Sequence, residues 1–113
     1  MTKIYTDSVY WKGIVRASLC KYLILRALDD EPLHGYELIH KIAGQTKEFF
    51  RPTQGAVYPI LREFMQCGCV TMKPCVFRGH ERKEYALTTK GRKALVAAET
   101  TWRRGMKCLE SLW

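Results

Sequence analysis

The sequence predicts a mainly α-helical fold with one small β-hairpin. Three observations predict it. Apolar residues recur at three- and four-residue spacing through the first half of the chain, the pattern of helices that bury one face. After Gly68 the period shortens into two strand-like runs around a glycine turn. A last helical pattern then runs to the end of the chain. In that order these elements make a winged helix-turn-helix flanked by N-terminal and C-terminal dimerisation helices.

Each element can be justified in turn. Residues 1–10 read as a flexible N-terminal arm, and residues 11–87 as the winged helix-turn-helix. Its first helix, "WKGIVRASLCKYLILRALD", places Ile14, Val15, Leu19, Tyr22, Leu23, Leu25 and Leu28 mostly three and four apart. "DDEP" stops it, because the residue before a proline leaves the helical region. Residues 34–45, "HGYELIHKIAGQ", form a shorter second helix, with Gly44 as its expected stop. Helix 3 spans about 53–66, with Val57, Ile60, Leu61 and Phe64 on its apolar face and Gly68 at its end. The wing spans about 69–87 as a hairpin turning at Gly79. Residues 88–113 form the closing helix, capped by Thr88 or Thr89.

Composition narrows the partners. The chain has 113 residues, one domain by length, and 47% of them are apolar, enough for a modest core that a dimer would enlarge. Nineteen Lys and Arg against eleven Asp and Glu give a net charge of +8. That bias favours a polyanion, with nucleic acid first and an anionic membrane second. The N-terminus "MTKIYTDSVYWKG" has no apolar signal core, and the run "YLIL" is far short of the roughly 20 residues that span a bilayer. A cytoplasmic protein with no membrane partner is expected. The cysteines number five, an odd count, and unpaired thiols are the expectation.

The stretch "RPTQGAVYPILREF" carries the chemistry. In a helix-turn-helix the N-terminal residues of the second helix of the pair meet DNA in the major groove. Such a helix needs a small, polar front, and Thr53, Gln54, Gly55 and Ala56 supply one. Thr53 can cap it, and the neighbouring N–H groups favour a phosphate. Gln54 can donate and accept together, which suits adenine. The Tyr58 hydroxyl can reach a phosphate while its ring packs on the domain. Pro59 removes a backbone hydrogen bond and should bend the helix, either tilting its front into the groove or only shaping its packing. Arg51, Arg62 and Tyr36 extend this face. On the wing, "FRGHERK" offers Arg78, His80, Arg82 and Lys83 for phosphate or minor-groove contact. The partner these residues imply is double-stranded DNA.

The segments "LHGYELIHKI", "TQGAVYPILREFMQCGCV" and "KEYALTTKGRKAL" resemble the PadR family of transcriptional regulators. The matching features are His34-Gly35-Tyr36 opening helix 2, Gly55-Ala56-Val57-Tyr58-Pro59 on helix 3, and Tyr85-Ala86-Leu87-Thr88 followed by Gly91. The likeness covers residues of about 20–100. It departs from the family where Ala56 lacks a hydroxyl and where the wing is short. The resemblance implies a homodimeric DNA-binding regulator, usually a repressor relieved by a small molecule, of the smaller subclass with a single C-terminal helix.

Leu95, Ala98, Trp102, Gly105, Leu109 and Leu112 are spaced three and four apart, an a/d seam that two chains could bury together. In a family member that binds several drugs, a tryptophan at the matching place pairs with its dimer mate around flat aromatic ligands. By that resemblance Trp102, with Val15, Ser18, Leu19, Tyr22 and Met106, would line a dimer interface and a pocket for a small aromatic effector. An ordinary interface tryptophan is the competing reading.

Two further classes stay open. Cys67, Cys69 and Cys75 could form a thiol- or metal-responsive site, although structural zinc commonly takes four ligands and none of the paired C-x-x-C motifs is present. A winged-helix protein-interaction module without DNA binding is the other, and it would be insensitive to salt. The sequence holds no phosphate loop, no H-E-x-x-H and no G-x-S-x-G. No enzyme activity, catalytic residue or cofactor is expected.

Overall fold

The computed structural model describes residues 4–113, so the first three residues of the expected arm lie outside the described residues. The elements run α1 (Ser8–Asp30), β1 (Leu33–His34), α2 (Gly35–Gln45), α3 (Gln54–Gln66), β2 (Val70–Phe77), β3 (His80–Leu87) and α4 (Thr89–Glu110). Helix α1 begins three residues before the expected boundary. Asp7 caps it by accepting from the Val9 N–H at 2.9 Å, so residues 8–10 are helix rather than arm. It ends where Glu31 turns extended ahead of Pro32. Lys41 of α2 then reaches back to the Ala27 carbonyl at 2.8 Å and the Asp30 carboxylate at 2.9 Å, which closes the C-terminal end of α1.

Helix α2 opens on a capping box. The His34 Nδ1 accepts from the Glu37 N–H at 3.3 Å, and the Glu37 carboxylate accepts from the His34 N–H at 3.1 Å. The helix passes through Gly44 and stops at Thr46, so the expected glycine stop is not used. The chain turns instead through Lys47 and Glu48, both left-handed (φ 51° and 63°), a conformation that costs non-glycine residues on the order of 1 kcal/mol each. The Thr46 hydroxyl holds the turn by donating to the Ile42 carbonyl at 2.9 Å and accepting from the Phe50 N–H at 3.1 Å, and Phe50 is buried beneath it.

Helix α3 is capped by Thr53, whose hydroxyl accepts from the Ala56 N–H at 3.2 Å, and it continues through Pro59 to Gln66. Its end is a Schellman turn. Gly68 is left-handed (φ 82°), the Cys69 N–H donates to the Phe64 carbonyl at 2.8 Å, and the Gly68 N–H donates to the Met65 carbonyl at 3.2 Å.

The wing is a hairpin with a tight two-residue turn. Phe77 pairs with His80, and Arg78 and Gly79 both have positive φ (52° and 79°), as a type I′ turn requires. A third strand was not expected. Leu33 and His34 pair with Tyr85 and Glu84, giving the order β1-β3-β2 and leaving β2, which carries Pro74, on the outside. Two residues are too few to show alternation, so this strand leaves no signal in the sequence.

Ile24, Leu38, Ile42, Val57 and Leu61 are fully buried where α1, α2 and α3 meet above the base of the wing. Helix α4 adds Leu95 and the backbone of Gly91 to this core. A Cβ on Gly91 would overlap the Cys69 carbonyl oxygen and the Leu87 side chain, so α4 can dock on the wing only through a glycine. The rest of α4 and the first half of α1 project. The radius of gyration is 15.9 Å, above the about 13 Å of a compact chain of this length. Gly91→Ala should lower stability by about 1–3 kcal/mol, because the atom it meets is backbone and cannot rotate away. Chemical denaturation of the two proteins measures this.

Candidate nucleic-acid interface

Helix α3 buries Val57, Leu61 and Phe64 and turns Gln54, Gly55, Ala56, Pro59 and Arg62 to solvent. The polar front expected from the sequence is therefore exposed, with Thr53 holding its first turn. Tyr58 is half-buried and packs its phenol against Gly35, where any Cβ would overlap the ring and hydroxyl. The two motif segments, His34-Gly35-Tyr36 and Val57-Tyr58-Pro59, thus meet in space at this contact.

The wing closes the same site. A concavity of about 320 Å³ is lined by His34, Gly35, Tyr36, Tyr58, Arg82, Lys83 and Tyr85. It gathers Tyr36, Tyr58, Arg82 and Lys83 from α2, α3 and β3. Burial pushes the Tyr85 phenol up from its usual pKa, with a smaller opposing effect from Arg62, so the floor of the concavity stays uncharged at neutral pH. Arg78 and His80 stand apart from it at the hairpin tip.

The arginines differ in how they are held. Arg51 is paired to Glu48 at 2.8 Å, and this hydrogen-bonded carboxylate holds its guanidinium charged. It also lies 3.5 Å from His40, whose ring packs edge-on against Tyr36 at 4.4 Å. A phosphate reaching Arg51 must compete with Glu48. Among the described residues no carboxylate pairs with Arg62, Arg78, Arg82 or Lys83. Arg82 stacks 4.5 Å above the Phe77 ring, and Arg78 lies 5.2 Å from the same ring. The Nη1 of Arg82 is 2.8 Å from Nε2 of His34. A neutral ring has one lone pair, so it accepts either from the Glu37 N–H at 3.3 Å or from Arg82, according to its tautomer. Arg82 is therefore positioned by His34 and the Phe77 ring, with no carboxylate partner among the described residues.

Phe77 is the residue that sequence reasoning missed. It is 47% exposed and carries two guanidiniums. The signal is the register: with the turn at Arg78 and Gly79, Arg82 lies diagonally across from Phe77 on one face of the hairpin. His34, the first residue of the His34-Gly35-Tyr36 motif, is the cap of α2.

The cysteines divide. Cys67 and Cys69 adjoin at the end of α3, with their sulphurs 3.3 Å apart. Cys75 lies along β2 opposite Arg82. Among the described residues no group of three metal-binding side chains is gathered, so the three-thiol site is not formed.

The expected dimer face is partly used within the chain. Leu95 is 4% exposed and belongs to the chain's own core, because α4 first has to dock on the wing. Ala98 and Trp102 are half-buried, whereas Gly105, Met106 and Leu109 are exposed. On α1, Leu19 and Tyr22 are half-buried, and Val15 and Ser18 are exposed. Between the helices a crevice of about 480 Å³ is lined by Leu19, Tyr22, Trp102 and Met106, with Glu99, Arg103, Lys107 and Glu110 at its rim.

The sequence pattern of the transcriptional regulator PadR-like family matches residues 24–97. The chain belongs to this family. A PadR family transcriptional regulator from Eggerthella lenta DSM 2243 has the same fold (TM-score 0.80, 21% identity, covering 97% of this chain and 96% of that one). A PadR family transcription regulator from Clostridium difficile R20291 is 25% identical over 83% of this chain and 97% of its own (TM-score 0.69). Bacillus subtilis PadR in complex with operator DNA is 26% identical over 70% of this chain and 45% of its own (TM-score 0.63). No curated protein matches the sequence. The chain is thus a transcriptional regulator of the PadR-like family and not an enzyme. No helix of the described residues is long and apolar enough to cross a membrane.

Gly35→Ala should destabilise the protein by about 1–3 kcal/mol through its collision with Tyr58. Tyr58→Phe, which deletes the hydroxyl closest to that Cβ, should recover part of the loss. A double-mutant cycle by denaturation measures the coupling, and simple additivity would contradict the contact.

Proposed function

We propose that this chain is a cytoplasmic, homodimeric repressor that binds operator DNA through α3 and the wing and is released by a small aromatic effector. The observation that carries the reading is the shared concavity, where the α2 front, Tyr58 of α3 and, from the wing, Arg82 and Lys83, which no carboxylate neutralises among the described residues, converge. Helix α3 enters the major groove, with Gln54 against a base edge and Thr53, Gly55 and Ala56 allowing close approach of the backbone. Tyr36, Arg51, Tyr58 and Arg62 contact phosphates on either side. Pro59 lies on the exposed face near the front, and the wing places Arg78, His80, Arg82 and Lys83 along the backbone or the minor groove.

The homodimer is supported by apolar side chains that one chain leaves in solvent: Val9, Trp11, Ile14 and Val15 of α1, and Met106 and Leu109 of α4 with Leu112 just beyond it. A face of this kind is unusual on a monomer. Two-fold pairing through α1 and α4 sets two α3 helices on half-sites about 34–36 Å apart, one turn of DNA. The effector reading rests on the crevice beside Trp102, whose apolar walls and charged rim suit a flat ring with a polar edge. An effector bound there would act by changing the angle between the two wings.

The decisive experiment is a titration on the promoter upstream of the protein's own gene, against a scrambled duplex, at two salt concentrations. Tight, salt-dependent binding that prefers the native duplex is expected. Arg82→Ala and Lys83→Ala should each weaken binding to all sequences and lower the salt slope by about 1, whereas Gln54→Ala should relax preference at one base position. Equal losses for Gln54→Ala on specific and random DNA would refute its reading role. In sedimentation, Met106→Glu should shift the protein towards monomer. Trp102→Ala should keep the dimer but abolish binding of any flat aromatic that lowers DNA affinity.

A further inference from the structure

Residues 67–69, Cys-Gly-Cys, are the whole connection between α3 and β2. The left-handed Gly68 (φ 82°) folds the two cysteines onto one side, with their sulphurs 3.3 Å apart. One thiol faces solvent and the other does not: Cys67 is exposed, and Cys69 is 5% exposed and part of the core. Lys90, in the first turn of α4, donates its ammonium to the Cys67 carbonyl and stands beside the pair. The Cys69 side chain, hydrogen-bonded to Cys67, holds the Cys67 thiol below its usual pKa, with help from the Cys69 N–H and the Lys90 charge, while partial desolvation works against them. Burial first, and then the Cys67 contact, push Cys69 up. An accessible thiol of lowered pKa with a second thiol beside it is the arrangement of a resolving pair.

We propose that Cys67-Gly68-Cys69 is a redox-active dithiol that closes to an intrachain disulfide when it meets a peroxide, and that closure changes the angle between α3 and the wing. The Cys67 thiolate attacks one peroxide oxygen. An S–O bond forms, the O–O bond breaks, and the leaving hydroxide takes up a proton to depart as water. Cys67 is then a sulfenic acid. The Cys69 sulphur attacks it, an S–S bond forms, the S–O bond breaks, and a second water leaves with the Cys69 proton. Two thiols are oxidised by two electrons, and one hydrogen peroxide is reduced to two waters.

Closure acts on a junction that is held at several points. The sulphurs must approach from 3.3 Å to about 2.05 Å, and Cys69 is fixed on both sides. Its N–H is bound to the end of α3 at Phe64, and its carbonyl accepts from the Thr88 N–H at 3.0 Å and abuts Gly91 of α4. Drawing Cys69 towards Cys67 therefore shifts the helix, the wing and the docking of α4 together.

The DNA readout rests on the function proposed above; the chemical readout does not. The reduced full chain is treated with hydrogen peroxide, digested with trypsin, and the peptide covering residues 63–78 is fragmented in a mass spectrometer. The loss of two hydrogens, placed between Cys67 and Cys69 and not at Cys75, is expected. Affinity for the promoter duplex should fall about tenfold and return with dithiothreitol. Cys67→Ser, an exposed substitution, should bind DNA as the reduced protein does and ignore peroxide, whereas Cys108→Ser should respond like the parent. A peptide with no Cys67–Cys69 bond would overturn the dithiol. A disulfide without change in affinity, or an equal peroxide response in Cys67→Ser, would overturn the switch. If the reduced chain binds no DNA, the function reading fails while the mass measurement still decides the dithiol.

Discussion

The side of this protein that carries the proposed DNA contacts depends on a side chain that is missing. Gly35 leaves room for the Tyr58 phenol at the start of α2, and everything on that side takes its place from this contact. Helix α3 lies close enough to α2 for its polar front to stand clear of the domain. The two-residue strand that ends at His34 ties the same point to β3, which brings the wing alongside. A larger residue at this position would separate three elements at once, because the interior beneath them is close-packed and cannot yield in one place only.

A second glycine acts the same way at the other end of the wing. Gly91 admits the Cys69 carbonyl, and the Thr88 hydroxyl both caps α4 and donates to the Gly68 carbonyl at 2.7 Å. The end of α3, the root of the wing and the start of α4 are joined within a few residues. The reading head and the helix that would pair two chains therefore share one mechanical junction, and it holds two adjacent thiols. Motion at the α1 and α4 crevice and chemistry at these thiols would both reach the DNA face by this route.

Much of the fold was legible in the sequence because periodicity and caps act locally. Thr53 caps α3 and Thr88, one of the two threonines expected there, caps α4, and Gly68 ends α3 as its lack of a side chain allows. What was not legible is set by contacts distant in sequence. The β1 pairing depends on Tyr85 and Glu84, some fifty residues away. Gly44 looked like a stop, but burial of Phe50 and the Thr46 hydroxyl draw the turn two residues onward at the cost of two left-handed residues. Leu95 fits the heptad seam and yet belongs to the core, because spacing along a helix cannot tell which neighbour claims a face. Of the candidate site, residue types and the basic wing could be read directly. The pairing of Arg51 with Glu48 and the stacking of Arg82 on Phe77 follow only once the turn and register are known.

The outer strand of the wing has a consequence beyond DNA contact. A freestanding β2 would ordinarily present a row of unpaired backbone donors, an invitation for another wing to add itself as a further strand. Pro74, flanked by the charged Lys73, interrupts that row with a residue that has no N–H to give. Molecules crowded side by side on neighbouring sites can then lie wing to wing without zipping into a continuous sheet. The hairpin of each chain then stays a separate element.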